Sequence, residues 1–192
     1  HLLFGAGRNI SARVGLRCVV SGSSAALQRA GLTPVRRPNG RAAAYLFADA
    51  LPRARLAFSS RVASSPEEAL SLVASVDPNV VIVEEEAEPL DACPASREAE
   101  VHVIRDHPEQ VEISVDAPCP AYLVLADTLV SGWGATIDGA SVPIQRADYS
   151  LRAVRVPAGR HEVTFRYDPA PVRRAQFFFA LMEYSLTLYC FE

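Results

Sequence analysis

Lysine is missing from this chain of 192 residues, so all 19 of its basic residues are arginine. Tryptophan and methionine occur once each, as Trp133 and Met182, and aromatic residues make up only 8% of the chain. Arginines without interleaved aromatics do not form a nucleic-acid face, and no nucleic-acid partner is expected. The four cysteines, Cys18, Cys93, Cys119 and Cys190, include no Cys-x-x-Cys pair and have no histidine at ligand spacing. That excludes a zinc site and a thioredoxin-like motif. No Gly-x-Ser-x-Gly elbow is present, so His102, His107 and His161 lack a nucleophile context. Gly5-Ala6-Gly7 lacks the third glycine and the distant acid of a dinucleotide loop. The acidic run Glu84-Glu85-Glu86-Ala87-Glu88 lacks the turn glycine and ligand spacing of a calcium loop, and reads as a solvated strand end. Neither a metal nor a cofactor is expected.

The chain does have ample core material. Apolar residues reach 49% and charged residues 21%, with a mean hydropathy of +0.11, which excludes a disordered chain or a polytopic membrane protein. The net charge of −3 conceals a strong segregation: +9 over residues 1–61, −13 over 62–127 and +1 over the remainder. Solvated arginines and internal pairing with the acidic middle account for that pattern. The first residue is His1 rather than Met, which reads as a piece processed or excised from a longer product. Buried free thiols are the plain reading of the cysteines; in an oxidising compartment, Cys93 with Cys119 is the nearest-spaced pair for a disulfide.

Periodicity divides the chain in two and predicts an α+β fold. Residues 1–99 read as a small mixed α/β unit that ends in a linker. Within it, 16–21 is a β-type run and a brief helix over 25–30 is capped by Ser23 or Ser24 and stopped by Gly31. Segments 32–37 and 41–48 flank Pro38-Asn39-Gly40, a tight-hairpin signal, and 51–58 continues as an alternating segment. Ser65-Pro66-Glu67-Glu68 supplies an N-cap serine, a proline at the first helical position and a glutamate two places on, which predicts a helix to about Val76. Val80 to Val83 reads as a buried strand, and residues 86–100 as linker.

Residues 100–169 change to a period of two. Seven strand-length runs, 101–105, 111–115, 121–126, 133–137, 140–144, 151–156 and 162–167, predict an antiparallel β-sandwich of jelly-roll or Ig-like type. Asp138-Gly139 and Pro157-Ala158-Gly159 are the turns of two of its hairpins. Residues 170–192 form an apolar tail interrupted by Glu183. Its run over 175–190, about sixteen mostly apolar residues, falls short of the ~20 a spanning helix needs, so a core element and the start of a transmembrane helix are both open readings.

Two residues stand out as ligand-binding candidates. Trp133, between Gly132 and Gly134 at the mouth of a hairpin, either packs between the sheets, the favoured role, or stacks on the apolar face of a sugar ring. Arg53 follows the bend set by Pro52 and presents a bidentate donor for a carboxylate or phosphate. Its favoured structural role is an ion pair with Glu84, Glu85 and Glu86 across the two halves. Asp138 is accounted for as a turn residue and not as a catalytic acid or base. No catalytic residue is expected.

The series Gly132-Trp133-Gly134-Ala135-Thr136-Ile137-Asp138-Gly139-Ala140, Val142-Pro143-Ile144, Arg146-Ala147-Asp148-Tyr149, Leu151-Arg152-Ala153-Val154, Val156-Pro157-Ala158-Gly159-Arg160-His161 and Phe165-Arg166-Tyr167-Asp168-Pro169 closely resembles the extracytoplasmic C-terminal region of YfhO-type bacterial membrane proteins. Leu51-Pro52-Arg53-Ala54 and Gly15-Leu16-Arg17-Cys18-Val19-Val20 also look like upstream segments of that family, so the resemblance spans roughly residues 10–170. Val130-Ser131 stands where the family usually has Tyr-Pro, and Cys18 takes a place often held by Tyr. The resemblance implies a polytopic protein similar to glycosyltransferases that use polyprenyl-phosphate sugars. This chain would be its non-catalytic accessory domain on the extracytoplasmic face of the bacterial cytoplasmic membrane. Its partners would be the membrane-embedded part of the same polypeptide and a cell-envelope glycan. The alternative is a freestanding secreted carbohydrate-binding or adhesive β-sandwich.

Overall fold

A computed structural model describes residues 6–16, 18–21, 34–36, 43–46, 49–84, 90, 93 and 98–168. The expected helix over 25–30, the Pro38-Asn39-Gly40 turn, most of the 86–100 linker and the apolar tail from 170 lie outside them.

The described chain is mostly β, with few helices. Helix α1 (Ala6–Arg13) is followed by strands β1 (Cys18–Ser21), β2 (Pro34–Arg36) and β3 (Ala43–Leu46), which form a three-stranded antiparallel sheet in the order β1-β3-β2. Next come β4 (Ala54–Ala57), β5 (Ser60–Ala63), helix α2 (Pro66–Ser75) and β6 (Val81–Glu84). The second half contributes β7 (Glu100–His107), β8 (Gln110–Ala117), β9 (Ala121–Thr128), β10 (Trp133–Ile137), β11 (Ala140–Val142), β12 (Gln145–Ala147), β13 (Leu151–Val156) and β14 (Gly159–Tyr167). Five of these form the sheet β11-β10-β14-β8-β7, while the other large sheet runs β4-β9-β13-β12-β6-β5. Three of its strands come from before residue 100, so this sheet crosses the division expected at residue 99. The period-two pattern registered the strands after residue 100, except that the run expected over 140–144 ends at Val142 and β12 follows it unexpected. It could not show which strands from the first half would join them, because pairing across a sheet leaves no local signature.

The two large sheets meet across one core built from alternate residues. Val111, Ile113 and Val115 of β8, Val163 and Phe165 of β14 and Ala135 and Ile137 of β10 face Leu123 and Leu125 of β9, Val154 and Val156 of β13 and Ala54 of β4. The arrangement is compatible with a β-sandwich. On the other face of the six-stranded sheet a second cluster collects Tyr122, Val124, Ala147, Leu151, Ala153, Val81 and Val83. Burial on both faces explains why β13 shows almost no alternation.

Helix α2 forms where the capping signal predicts. Ser65 accepts from the Glu68 amide at 3.2 Å, and the Glu68 carboxylate accepts from the backbone and hydroxyl of Ser64 rather than from Ser65 itself. The helix links β5 and β6 as a parallel pair and buries Ala69 and Val73 against Ala63 and Ile82. Helix α1 has no comparable sequence signal, and its anchoring is tertiary. Asn9 donates to the carbonyls of Ala74 and Val76, and Arg13 donates to those of Val76, Asp77 and Val80, so side chains of one helix satisfy carbonyls at the end of another and in the loop after it. Arg13 also pairs with Asp148 at 2.7 Å, and Arg55 pairs with the second oxygen of Asp148 at 2.7 Å. Burial lowers the pKa of both arginines, with Asp148 opposing that shift.

Cys93 and Cys119 are joined by a disulfide across a sequence separation of 26. Closing a loop of that size stabilises the fold by about 3 kcal/mol in the chain-entropy account. Cys18 is a free thiol and exposed, which corrects the expectation of burial: β1 lies in the small three-stranded sheet, outside the two large ones.

Candidate functional site

The fold brings the two singled-out residues, Arg53 and Trp133, into one cleft of about 410 Å³, lined also by Asp106, His107, Asp127 and Arg152. They come from five places in the chain. Arg53 immediately precedes β4, whose pairing with β9 sets Ala54 opposite Leu125, and the Arg53 carbonyl accepts from the Ala126 amide at 2.7 Å. That register puts Asp127 beside Arg53. Asp106 is near the end of β7, Arg152 lies on β13 and Trp133 opens β10.

Arg53 forms the fork foreseen for it, but toward carboxylates of its own chain. Its Nε and Nη2 reach the two oxygens of Asp127 at 3.0 and 2.9 Å, and Nη1 reaches Asp106 at 2.5 Å. These hydrogen bonds raise the pKa of the guanidinium and hold the Asp106 carboxyl below the usual carboxylate range. The expected pairing with Glu84 to Glu86 is corrected: Glu84 pairs with Arg146 at 3.2 Å, and Glu85 and Glu86 lie outside the described residues. Strands β9, β13 and β12 intervene between β4 and β6. At ~4.8 Å per strand the gap is too wide for one side chain.

Trp133 is half-buried at the rim of the inter-sheet core. The Arg152 guanidinium lies 3.8 Å from its ring centre, and the Tyr167 ring is 5.6 Å away at 47°. Arg152 also donates to Asp127 at 3.0 Å, while its Nε and Nη1 find no hydrogen-bond partner among the described residues. Facing an aromatic ring offsets part of that deficit. Burial lowers the pKa of Arg152, and Asp127 opposes the shift. Gly132 is required next to Trp133: its φ is +98°, and a Cβ there would stand 2.8 Å from the Tyr167 ring and 2.9 Å from the Asp168 carbonyl oxygen. Packing and exposure therefore coexist at Trp133.

Asp106, Asp127 and Arg152 have no distinguishing sequence signal. The pairing of β4 with β9, and of β9 with β13, makes Asp127 and Arg152 neighbours of Arg53, while Asp106 comes from β7 of the other large sheet. The cleft offers carboxylate oxygens, a guanidinium edge and part of an indole surface. Both carboxylates are engaged by Arg53.

Asp138 does what its Asp-Gly context predicts. It and Gly139 take φ of 51° and 81°, its Oδ1 accepts from the Glu162 amide at 2.8 Å and its Oδ2 meets His161 Nδ1 at 2.6 Å. The hydrogen bond lowers the Asp138 pKa and raises that of His161. Among the described residues no cluster of His, Cys, Asp and Glu is arranged to hold a metal ion, and no helix is long and apolar enough to cross a membrane. No family model, no curated protein and no solved structure matches this chain.

Proposed function

We propose that this chain is a non-catalytic, extracytoplasmic accessory module of a membrane protein that transfers glycosyl groups to cell-envelope glycans, and that the Arg53–Trp133 cleft holds the sugar. The observation that carries this reading is the meeting of an indole with a fixed Arg-carboxylate fork in one open cleft. A pyranose presents hydroxyls around its edge and an apolar C–H face. Carboxylate oxygens held in position by arginine accept from the hydroxyls, and the accessible part of the indole covers the C–H face. The engagement of both carboxylates by Arg53 supports a holding role over an acid-base one. The Cys93–Cys119 disulfide fits an oxidising compartment outside the cytoplasm. In this reading the fold is α+β with a sandwich of jelly-roll or Ig-like type, and the role rests on the resemblance to YfhO-type proteins.

The test has two arms. In the first, the full-length polypeptide is fractionated from its host; retention in the membrane pellet after alkaline carbonate washing, with protease access from outside, is expected. Release into the soluble fraction would instead favour the freestanding secreted glycan binder. In the second, binding of solubilised cell-envelope polysaccharide is measured by calorimetry, and Trp133→Ala is expected to weaken it at least about tenfold with the circular dichroism spectrum unchanged. Unchanged affinity in that variant would remove the cleft from the proposal.

A further inference from the structure

Gly134 has no evident reason of conformation or packing to be glycine. It lies inside β10, paired with Arg166 of β14, and its φ is outside the left-handed region. A Cβ built there would have nothing within 4 Å. This differs from Gly132 two residues earlier, where φ and two close contacts exclude any side chain. A glycine inside a strand loses packing and conformational restriction, and where the fold does not demand it, it marks a place that another molecule approaches closely.

The surroundings of Gly134 have a definite chemistry. Successive residues of a strand face opposite sides, so Trp133 and Ala135 turn to the core side while Gly134 and Thr136 turn to the outer face of the five-stranded sheet. There a trough of about 350 Å³ runs beside Gly134, Thr136, Ser141, Thr164, Gln110 and Arg166, with Asp168 at its margin. The strand registers set Ser141 opposite Thr136 and Thr136 opposite Thr164, which makes a row of three hydroxyls across β11, β10 and β14. Arg166 is exposed, and its side chain makes no hydrogen bond or ion pair among the described residues. The neighbouring acid on the next strand is occupied, because Glu112 accepts from Gln110 at 2.6 Å and lies 3.4 Å from Arg105.

We infer that this trough is a second binding site, separate from the Trp133 cleft, for a carboxylated glycan chain. The guanidinium of Arg166, unpartnered among the described residues, supplies a bidentate donor for a ligand carboxylate. The hydroxyls of Ser141, Thr136 and Thr164 both donate to and accept from sugar hydroxyls. The missing side chain at Gly134 lets the chain lie against the backbone of β10. With no aromatic ring in the trough, recognition is by hydrogen bonding and charge, so binding weakens as salt rises. The site does not depend on the reading of the cleft, since the two open on opposite faces of β10.

The probe is an oligogalacturonate, titrated into the 192-residue chain with amide shifts and calorimetry as readouts. Saturable binding with shifts centred on Thr136, Thr164 and Arg166 is expected. Gly134→Thr fills open space with a strand-favouring residue, so its melting temperature should equal or exceed that of the parent while affinity falls at least about tenfold. Arg166→Gln should weaken binding similarly and flatten its salt dependence, and Trp133→Ala should leave it unchanged. The inference is overturned if the parent does not bind the oligogalacturonate, if Gly134→Thr binds as tightly as the parent, or if Trp133→Ala is the variant that abolishes binding.

Discussion

Asp148 and Asp127 are each bridged by two arginines, yet their surroundings are opposite. The Asp148 side chain is 0% exposed and its partners Arg13 and Arg55 only 1% and 8%, whereas Asp127 is 24% exposed and its partner Arg53 41%. The first cluster also takes backbone partners: Asp148 accepts from the Ile82 amide, and Arg13 holds the carbonyls of Val76, Asp77 and Val80 between α2 and β6. It works as an internal fastener joining α1, the end of α2, β4 and the turn after β12. The second cluster uses the same residue types at similar distances but lines an open cleft beside an indole. The same ionic motif is scaffolding where it is sealed and a candidate site where water and ligand can reach it.

The comparison predicts a graded series of effects. The largest should come from Asp148→Asn, chosen because asparagine tolerates the φ of 47° at this position. It leaves two buried arginines without a counter-charge and should cost about 3–5 kcal/mol in urea unfolding. A loss under about 1 kcal/mol would mean that the cluster is not the fastener described. Asp127→Asn should cost less, about 1–3 kcal/mol, since only Arg152 is then left buried without its carboxylate. If it equalled Asp148→Asn by the same measurement, the contrast between sealed and open clusters would collapse. Arg53→Gln should change stability by less than about 1 kcal/mol, because the Arg53–Asp106 pair is exposed. In the proposed role it should nevertheless weaken polysaccharide binding in the calorimetric titration, thereby separating affinity from stability.

The smallest effect, and the one with a pH sign, belongs to His161 and Asp138. The folded pKa of His161 is raised, first by its hydrogen bond to Asp138, so its contribution is fully present below the unfolded value of about 6.5 and is lost as pH rises through the folded pKa. The folded pKa of Asp138 is lowered, so its share is lost only in acid. Thermal melts of His161→Gln should therefore fall furthest below the parent near pH 5.5, with the difference shrinking by pH 8.5. A difference that does not vary with pH would show that the contact carries no ionic component.

Legibility differed between elements for physical reasons. Helix α2 was readable because its serine, proline and glutamate act within one turn of the chain. The 138–139 turn was readable because two positive φ values need Asp-Gly or its like. Strands β5 and β12 and helix α1 are not predicted by the sequence. The burial pattern of β5 is one-sided only at Ala63, and α1 depends on carbonyls more than sixty residues away. Arg53 and Trp133 were singled out separately, one for its bend and one for its glycines, with nothing to indicate that they share a cleft.

By itself the sequence determined the strand-rich second half, the capped helix, the tight turns and the two residues to watch, because each depends on neighbours within a few positions or on side-chain alternation. Only the tertiary structure decided that β4, β5 and β6 complete the six-stranded sheet, that Arg53 reaches Asp106 and Asp127 instead of the acidic run, and that Asp148 is sealed while Asp127 is open. Strand pairing and burial depend on residues distant in sequence, and a one-residue change of register would have turned every one of these side chains to the opposite face.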